Sequence, residues 1–387
     1  MVAQAVNTNA LIQKSNNVKQ EQIETFSHLV WKRFSKHRLA LYSAYILIFL
    51  CLLSLFAGAI ESLLNVSHDV ASLEMVNLVP GWPHLLGTNE LGQDVLTRLI
   101  FGGRISLSVG IISALTSAII GSIIGLLAGF YGGFIDSFLM RFTDAMLSVP
   151  VLPLMIVFSA LELDVLFGHG NTASALLTCG IFAILLLCFR FASASRAQSS
   201  HSMSFSRMLI DSLITGVVLF AGYFLIFKMV DWKSVGSGNL ASVIKLILII
   251  VFFGWMTVAR LARAAALQLK NMEFVTAARS LGAGDRRLLL VHILPNALAP
   301  IIVAATLEVG GNILYEAALS FLGLGIQPPV SSWGNMLNNA VDYIKTSPML
   351  AFWPGFFILV TVSCFNFFGD GMRDALDPHQ VMKNGEK

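Results

Sequence analysis

The chain has 387 residues, of which 56% are hydrophobic and 12% charged, with a formal net charge of +3. A soluble domain cannot bury that much apolar surface, so the composition excludes a soluble globular protein and predicts a polytopic α-helical membrane protein. The small net charge excludes nothing by itself, because in such a chain the placement of the charges carries the information.

In chain order, residues 1–38 form a polar tail that ends in Lys32, Arg33, Lys36 and Arg38. An apolar run at about 39–60 follows. Ala57–Ala59 imitates a signal-peptidase site, but the long polar lead and the length of the run predict an uncleaved first span. The next segment closes with "HLLGTNELGQDVLTRLIFGGR", in which Thr88 reads as a helix cap and Leu91–Arg98 as an amphipathic turn. Further runs lie at about 105–130, 142–161, 173–190, 208–230, 241–259, 297–319 and 349–369, giving eight predicted spans. Each is long enough to cross ~30 Å of hydrocarbon at ~1.5 Å per residue.

Within the second run Ser113, Ser117, Gly121, Gly125 and Gly129 recur every four residues and share one helix face. That stripe reads first as a close helix–helix packing face and second as pore lining. Between the last two runs, Pro328, Pro329 and Pro348 punctuate "GIQPPVSSWGNMLNNAVDYIKTSP" into turn, helix and turn. Cys51, Cys179, Cys188 and Cys364 sit in or beside apolar runs with no ligand spacing, and read as small buried hydrophobes.

With the N-terminus inside and eight spans threaded, 19 of the 25 Lys and Arg residues fall on inner segments. The six exceptions are Arg98, Arg104, Lys228, Lys233, Lys245 and Lys345. The positive-inside rule supports this threading, and an odd span count would strand one end on the wrong side.

One inner segment is unlike a loop. From Glu273, "EFVTAARSLGAGDRRLLLVHILPN" is polar and basic between two membrane-length runs. Residues 265–281 read as a helix with the small residues Ala277 and Ala278, and Gly282 reads as its stop. Asp285 reads as the cap of a second short helix that Pro295 terminates. A basic helix–glycine–helix elbow results. An amphipathic helix resting on lipid explains neither the break nor the alanine pair.

"AARSLGA…HILPNA" resembles the cytoplasmic EAA loop of ABC-importer permeases, and the chain looks like the C-type permease subunit of dipeptide and oligopeptide importers. "RFSKHRLALYSAYILIFL", "HLLGTNELGQDVLTRLIFGGRISL", "AGFYGGFIDSFLMRFTDAMLSVP", "EAALSFLGLGIQPP", "SWGNML" and "FNFFGDGMRDALDP" agree as well. The resemblance implies an all-α membrane bundle of the type I ABC importer permease kind, with six family spans plus an inserted pair. It divides the chain into a cytoplasmic tail (1–38), a first span with an external segment (39–104), a permease core (105–379) and a C-terminal tail (380–387). The core carries a two-span insertion at about 162–242 and the coupling loop at 265–296.

The resemblance also implies a bacterial inner-membrane location with both termini cytoplasmic. Its partners would be a second permease, two cytoplasmic ATPase subunits that use ATP and magnesium, and an extracytoplasmic solute-binding protein. This chain would bind no cofactor or metal and catalyse nothing. Glu273, Thr276, Ala277, Ala278, Arg279, Gly282, Asp285, Leu294 and Pro295 would form the ATPase-coupling loop. Gly87, Thr88, Gly92 and Asp94 would serve external docking. Glu308, Asn312 and Glu316, on one helix face, would pack in the bundle or face the translocation path.

Three departures stand out. Thr276 replaces the family's usual Glu, with Glu273 one turn earlier. Asn89 and Gln93 stand where an Asp and an Arg are usual, which removes a charge pair. The insertion is the third. The chain lacks GxxxxGK[ST], HExxH and GxSxG, which weighs against ATP hydrolysis or hydrolase chemistry of its own. An ion-coupled secondary transporter, or an accessory scaffold that has lost transport, are the alternatives; the first has no use for a basic elbow and would show an inverted repeat.

Overall fold

A computed structural model describes residues 26–68, 70–160 and 241–376. The described residues are helical throughout, apart from turns and one isolated bridge. In order the helices are α1 (Phe26–Phe34), α2 (Arg38–Leu55), α3 (Ala57–Leu64), α4 (Val95–Tyr131), α5 (Gly133–Leu147), α6 (Val151–Ala160) and α7 (Ala241–Leu269). They continue with α8 (Glu273–Ser280), α9 (Asp285–Arg287), a π turn (Leu288–Ile293), α10 (Leu294–Phe321), α11 (Trp333–Ala340) and α12 (Met349–Leu376). Lipid offers no partner to an open backbone, which is why the apolar runs fold this way.

Five helical stretches among the described residues are long and apolar enough to cross a membrane, and a bent pair, α5 with α6, raises this to six. The expected spans at 173–190 and 208–230 lie outside the described residues, so the count of eight stands as an expectation. The expected straight span at 142–161 is corrected: α5 and α6 meet at an 81° bend. Pro150 sits at the break, where its ring disfavours helical backbone at Val149 and removes a donor. The first run also breaks, at Phe56 between α2 and α3.

Helix α4 starts ten residues before its apolar run. Asp94 caps it by accepting a hydrogen bond from the Thr97 amide at 2.8 Å, so Thr88 is not the cap. Its 37 residues reach about 55 Å at 1.5 Å each, more than a hydrocarbon core requires.

The bundle turns on the contact between α4 and α7. A Cβ at Gly121 would lie 2.5 Å from the Trp255 carbonyl oxygen, one at Gly129 would lie 2.6 Å from that of Arg263, and one at Gly125 would overlap Ala259 O. The four-residue stripe of α4 thus meets a four-residue ladder of carbonyls on α7, with backbones in direct contact. This is the packing reading of the stripe.

The contacts also sort the helix ends. Leu126, Phe130, Ala262, Ala266, Val275, Leu288, Ala297 and Ile301 form one apolar cluster, so the end of α4, the end of α7 and the start of α10 lie together with α8. The start of α4, the end of α10, α11 and the start of α12 meet at the opposite end. There Lys245 Nζ donates to Ser159 O at 2.7 Å, which places the end of α6 beside the start of α7. Of the cysteines, Cys364 is buried as expected, Cys51 is exposed on the apolar surface, and the other two lie outside the described residues.

Substituting Gly125 by Leu should separate α4 from α7 and cost at least the ~1–3 kcal/mol of an overpacked core. The expected result is loss of monodisperse protein on size exclusion, while Ile119→Leu, on the exposed face of the same helix, behaves as wild type. A well-behaved Gly125→Leu protein contradicts the packing.

Candidate functional site

The elbow is built from two breaks. Helix α7 ends at Leu269, and residues 270–272 turn the chain into the short α8. The expected continuous helix over 265–281 is therefore two helices. Helix α8 closes with a Schellman pattern: Ala283 N donates to Ala278 O at 3.1 Å and Gly282 N to Arg279 O at 3.0 Å. Gly282 has φ +85°, the left-handed geometry such a stop requires, and a Cβ there would meet nothing within 4 Å. Glu273 in the first turn and Arg279 in the last both suit the helix dipole.

Val275, with Ala278 beside it, seats α8 on the bundle. Val275 is fully buried, against the same apolar cluster as Leu288 and Ile293. Glu273, Thr276, Ala277, Arg279 and Gly282 are exposed, and Leu281 at the tip is 89% exposed. Ala277 and Ala278 do not share a face, since neighbouring residues on a helix point about 100° apart. Ala277 is exposed and Ala278 is partly buried against the bundle. The Thr276 hydroxyl donates to Met272 O at 3.2 Å, so it serves its own helix.

Two further expectations are corrected. Gly284, in extended backbone, occupies the cap position of α9, and Asp285 is its first helical residue. Pro295 does not end the helix. The chain from Asp285 to Phe321 forms a single 37-residue stretch. Leu294 N bonds to Leu289 O across the π turn, and Pro295 falls in the first turn of α10, where a missing donor costs nothing.

Ion pairs and a lysine tie this end together. Arg263 makes a two-pronged pair with Asp136 of α5, with Nη2 to Oδ2 at 2.7 Å, and Arg260 lies 3.9 Å from Asp144. Lys270 Nζ donates to Gly129 O at 2.8 Å, at the carbonyl end of α4. Basic spacing alone did not reveal these partners, because Asp136 lies more than a hundred residues away in the chain.

At the opposite end Gly87, Thr88, Gly92 and Asp94 are buried and build a loop. Gly87 and Gly92 have positive φ of 79° and 72°. Thr88 Oγ1 accepts from Leu78 N at 2.8 Å and donates to Met75 O. Asp94, besides capping α4, lies 3.1 Å from His84 Nδ1. Exposed side chains of this segment include Val79, Trp82, Leu85 and Leu91. Asn89 Nδ2 donates to Gln93 Oε1 at 3.1 Å and Gln93 N to Asn89 Oδ1 at 2.8 Å, and Gln93 Oε1 also accepts from Arg98 Nη1, so the two amides bond to each other and to Arg98.

The Glu308–Asn312–Glu316 stripe divides. Glu316 is fully buried and accepts from Ser106 Oγ and Ser320 Oγ, both at 2.8 Å. Ser106 Oγ in turn accepts from Trp333 N at 3.2 Å, and Trp333 Nε1 donates to Leu99 O at 3.0 Å. Glu316 therefore helps lock α11 into the bundle. Asn312 and Glu308 lie one and two turns nearer the middle of α10 and take no part in this network.

The profile of the binding-protein-dependent transport system inner membrane component family matches residues 121–212 and 200–381, and that of the N-terminal TM domain of oligopeptide transport permease C matches 25–70. The chain is similar to the oligopeptide transport system permease protein OppC of Haemophilus influenzae, at 32% identity over 96% of this chain and 95% of the relative. It is 32% identical to the dipeptide transport system permease protein DppC of Bacillus subtilis, over 94% and 89% of the two chains. It is 31% identical to the glutathione transport system permease protein GsiD of Shigella flexneri, over 93% of each.

If Val275 is the main seat of α8, Val275→Asp should bury a charge and release the helix, at a cost of several kcal/mol. Hydrogen exchange across residues 273–281 should rise sharply in this variant and stay at the wild-type level in Ala277→Asp. Equal exchange in the two variants would show that α8 is held by something else.

Proposed function

The chain belongs to the binding-protein-dependent transport system inner membrane component family, and on that premise we propose that it is the permease subunit of an ATP-driven importer of dipeptides, oligopeptides or peptide-like solutes. It is a multi-pass membrane protein. In this reading it forms half of a translocation path with a second, homologous permease. Two cytoplasmic ATPase subunits bind and hydrolyse ATP with magnesium, and an extracytoplasmic binding protein delivers the cargo. The names of the relatives support the peptide class of cargo.

The observation that carries the proposal is the elbow: a short helix with an exposed outer face, a protruding Leu281, and an inner face seated on the bundle through Val275. Such a part receives force from outside the bundle and passes it inward. The exposed basic residues Arg279, Arg286 and Arg287 support a cytoplasmic position for this end, by the positive-inside rule. The flanks of the stretch at about 162–242 meet side by side, through Lys245 Nζ and Ser159 O, as an inserted hairpin requires. A hairpin returning to the same face leaves the threading of α7, α10 and α12 unchanged. An ion-coupled transporter remains the second reading, and nothing in the elbow favours it.

The test is to substitute Ala277→Trp and Leu281→Asp separately. Both side chains point away from the bundle, so protein level and permease pairing should persist. Truncating an exposed anchor at an interface costs ~2 kcal/mol or more, so ATPase co-purification should weaken roughly tenfold or more, and transport should fall with it. Normal ATPase retention and transport in both variants would sink the coupling reading.

A further inference from the structure

The middle of the bundle holds a second polar feature, separate from the elbow and from the Glu316 network. Ser113 and Ser117 of α4 are fully buried, Asn312 of α10 is 2% exposed, and Glu308 lies one turn from it. Ser113 Oγ, Ser117 Oγ, Glu308 Oε2 and Asn312 Nδ2 are all enclosed and have no hydrogen-bond partner. Other hydroxyls on α4 behave differently: Thr116 donates to Ile112 O at 2.8 Å and Ser122 to Ala118 O at 2.5 Å. The two serines forgo that bond to their own helix.

The side chains converge. A Cβ at Gly254 of α7 would lie 2.6 Å from Ser117 Oγ and 3.7 Å from Glu308 Oε1. Both atoms therefore face the one point where α7 has no side chain. Three helices meet here near mid-membrane, where an unsatisfied polar group costs several kcal/mol and lipid supplies no partner. The orphan set contains donors, in the Asn312 amide and the serine hydroxyls, as well as an acceptor in Glu308. A bare cation would satisfy only the acceptors. A small molecule that both donates and accepts satisfies them all.

We propose that this cluster is a buried hydration site, in which ordered water bridges Ser117, Glu308 and Asn312 across α4, α7 and α10. The water stands in for the side-chain partners that the four-residue small-residue stripe leaves out. The stripe then has two parts: Gly121, Gly125 and Gly129 bring backbones into contact, while Ser113 and Ser117 hold solvent between helices. This inference does not depend on the cargo or on the ATPase partners.

The full chain, co-expressed with its partner subunits and placed in lipid nanodiscs, provides the test. High-resolution maps should show solvent density within hydrogen-bond distance of Ser117 Oγ and of the Glu308 carboxyl. Ser117→Ala and Asn312→Leu should each lower the melting temperature by about 2 °C or more, because each removes a partner of a bound water. Glu308→Gln, which keeps the shape and the bonding capacity, should melt close to wild type. If the cluster is dry, apolar replacement relieves an unsatisfied group, so both variants melt higher and the density is absent. That result overturns the proposal. Sodium or potassium raising the melting temperature at constant ionic strength, with the effect lost in Glu308→Gln, would make the occupant a monovalent cation and also overturn it.

Discussion

The backbone contact between α4 and α7 is the constraint from which the rest of this bundle follows. Between spans in lipid there is no hydrophobic drive, so association rests on close packing and on weak polar contacts that only small residues permit. Gly121, Gly125 and Gly129 supply that closeness against the carbonyls of Trp255, Ala259 and Arg263. The last rung of this ladder is also where α4 ends. Lys270 reaches Gly129 O from just beyond α7, so the same contact fixes the point at which the chain leaves the bundle and turns into α8.

The elbow is thus placed by the helices it serves. Val275 seats it against the π turn, in the apolar cluster that Leu288 and Ile293 share with Ala262 and Ala266 of α7 and Ala297 of α10, and Arg263 holds α5 to α7 through Asp136. From Asp285 the chain runs through the π turn to Phe321 as one 37-residue stretch, about 55 Å at 1.5 Å per residue. At its far end Glu316 is bonded to Ser106, which receives Trp333 of α11. A displacement of α8 therefore has a continuous, hydrogen-bonded route to the opposite end of the molecule. Rigid-body transitions of packed helices work through such routes.

The class of fold was legible because hydrophobic runs and charge placement are one-dimensional signals. The glycine stop at Gly282 was legible for a related reason: one residue type fits the left-handed position that ends α8. What the sequence concealed were the features that depend on distant partners. Asp94 rather than Thr88 caps α4 because Thr88 is occupied with Leu78 and Met75. Pro295 looked like a terminator, yet the π turn before it shifts the bonding register so that no donor is missed. Ala277 and Ala278 formed a pair in the alphabet but not on the helix surface. Gly87, Gly92 and Asp94 are buried as the frame of a loop, and their residue types carry no sign of whether a loop's frame or its surface is being specified. Glu308, Asn312 and Glu316 shared a face in periodicity, and only the positions of Ser106, Ser117 and Gly254 on other helices separate their surroundings.

The proposed coupling requires that α8 and α7 move as one body when the ATPase subunits of the proposed assembly close. Spin labels at Ala277 and at Thr257, both exposed, in a background with the four native cysteines replaced, would report this directly by dipolar distance measurement in the assembled transporter. The account predicts the same distance distribution in nucleotide-free and ATP-trapped states, while the distance between the elbows of the two permeases changes. A shift of the Ala277–Thr257 distance between those states, with the elbow sliding on α7, would contradict it.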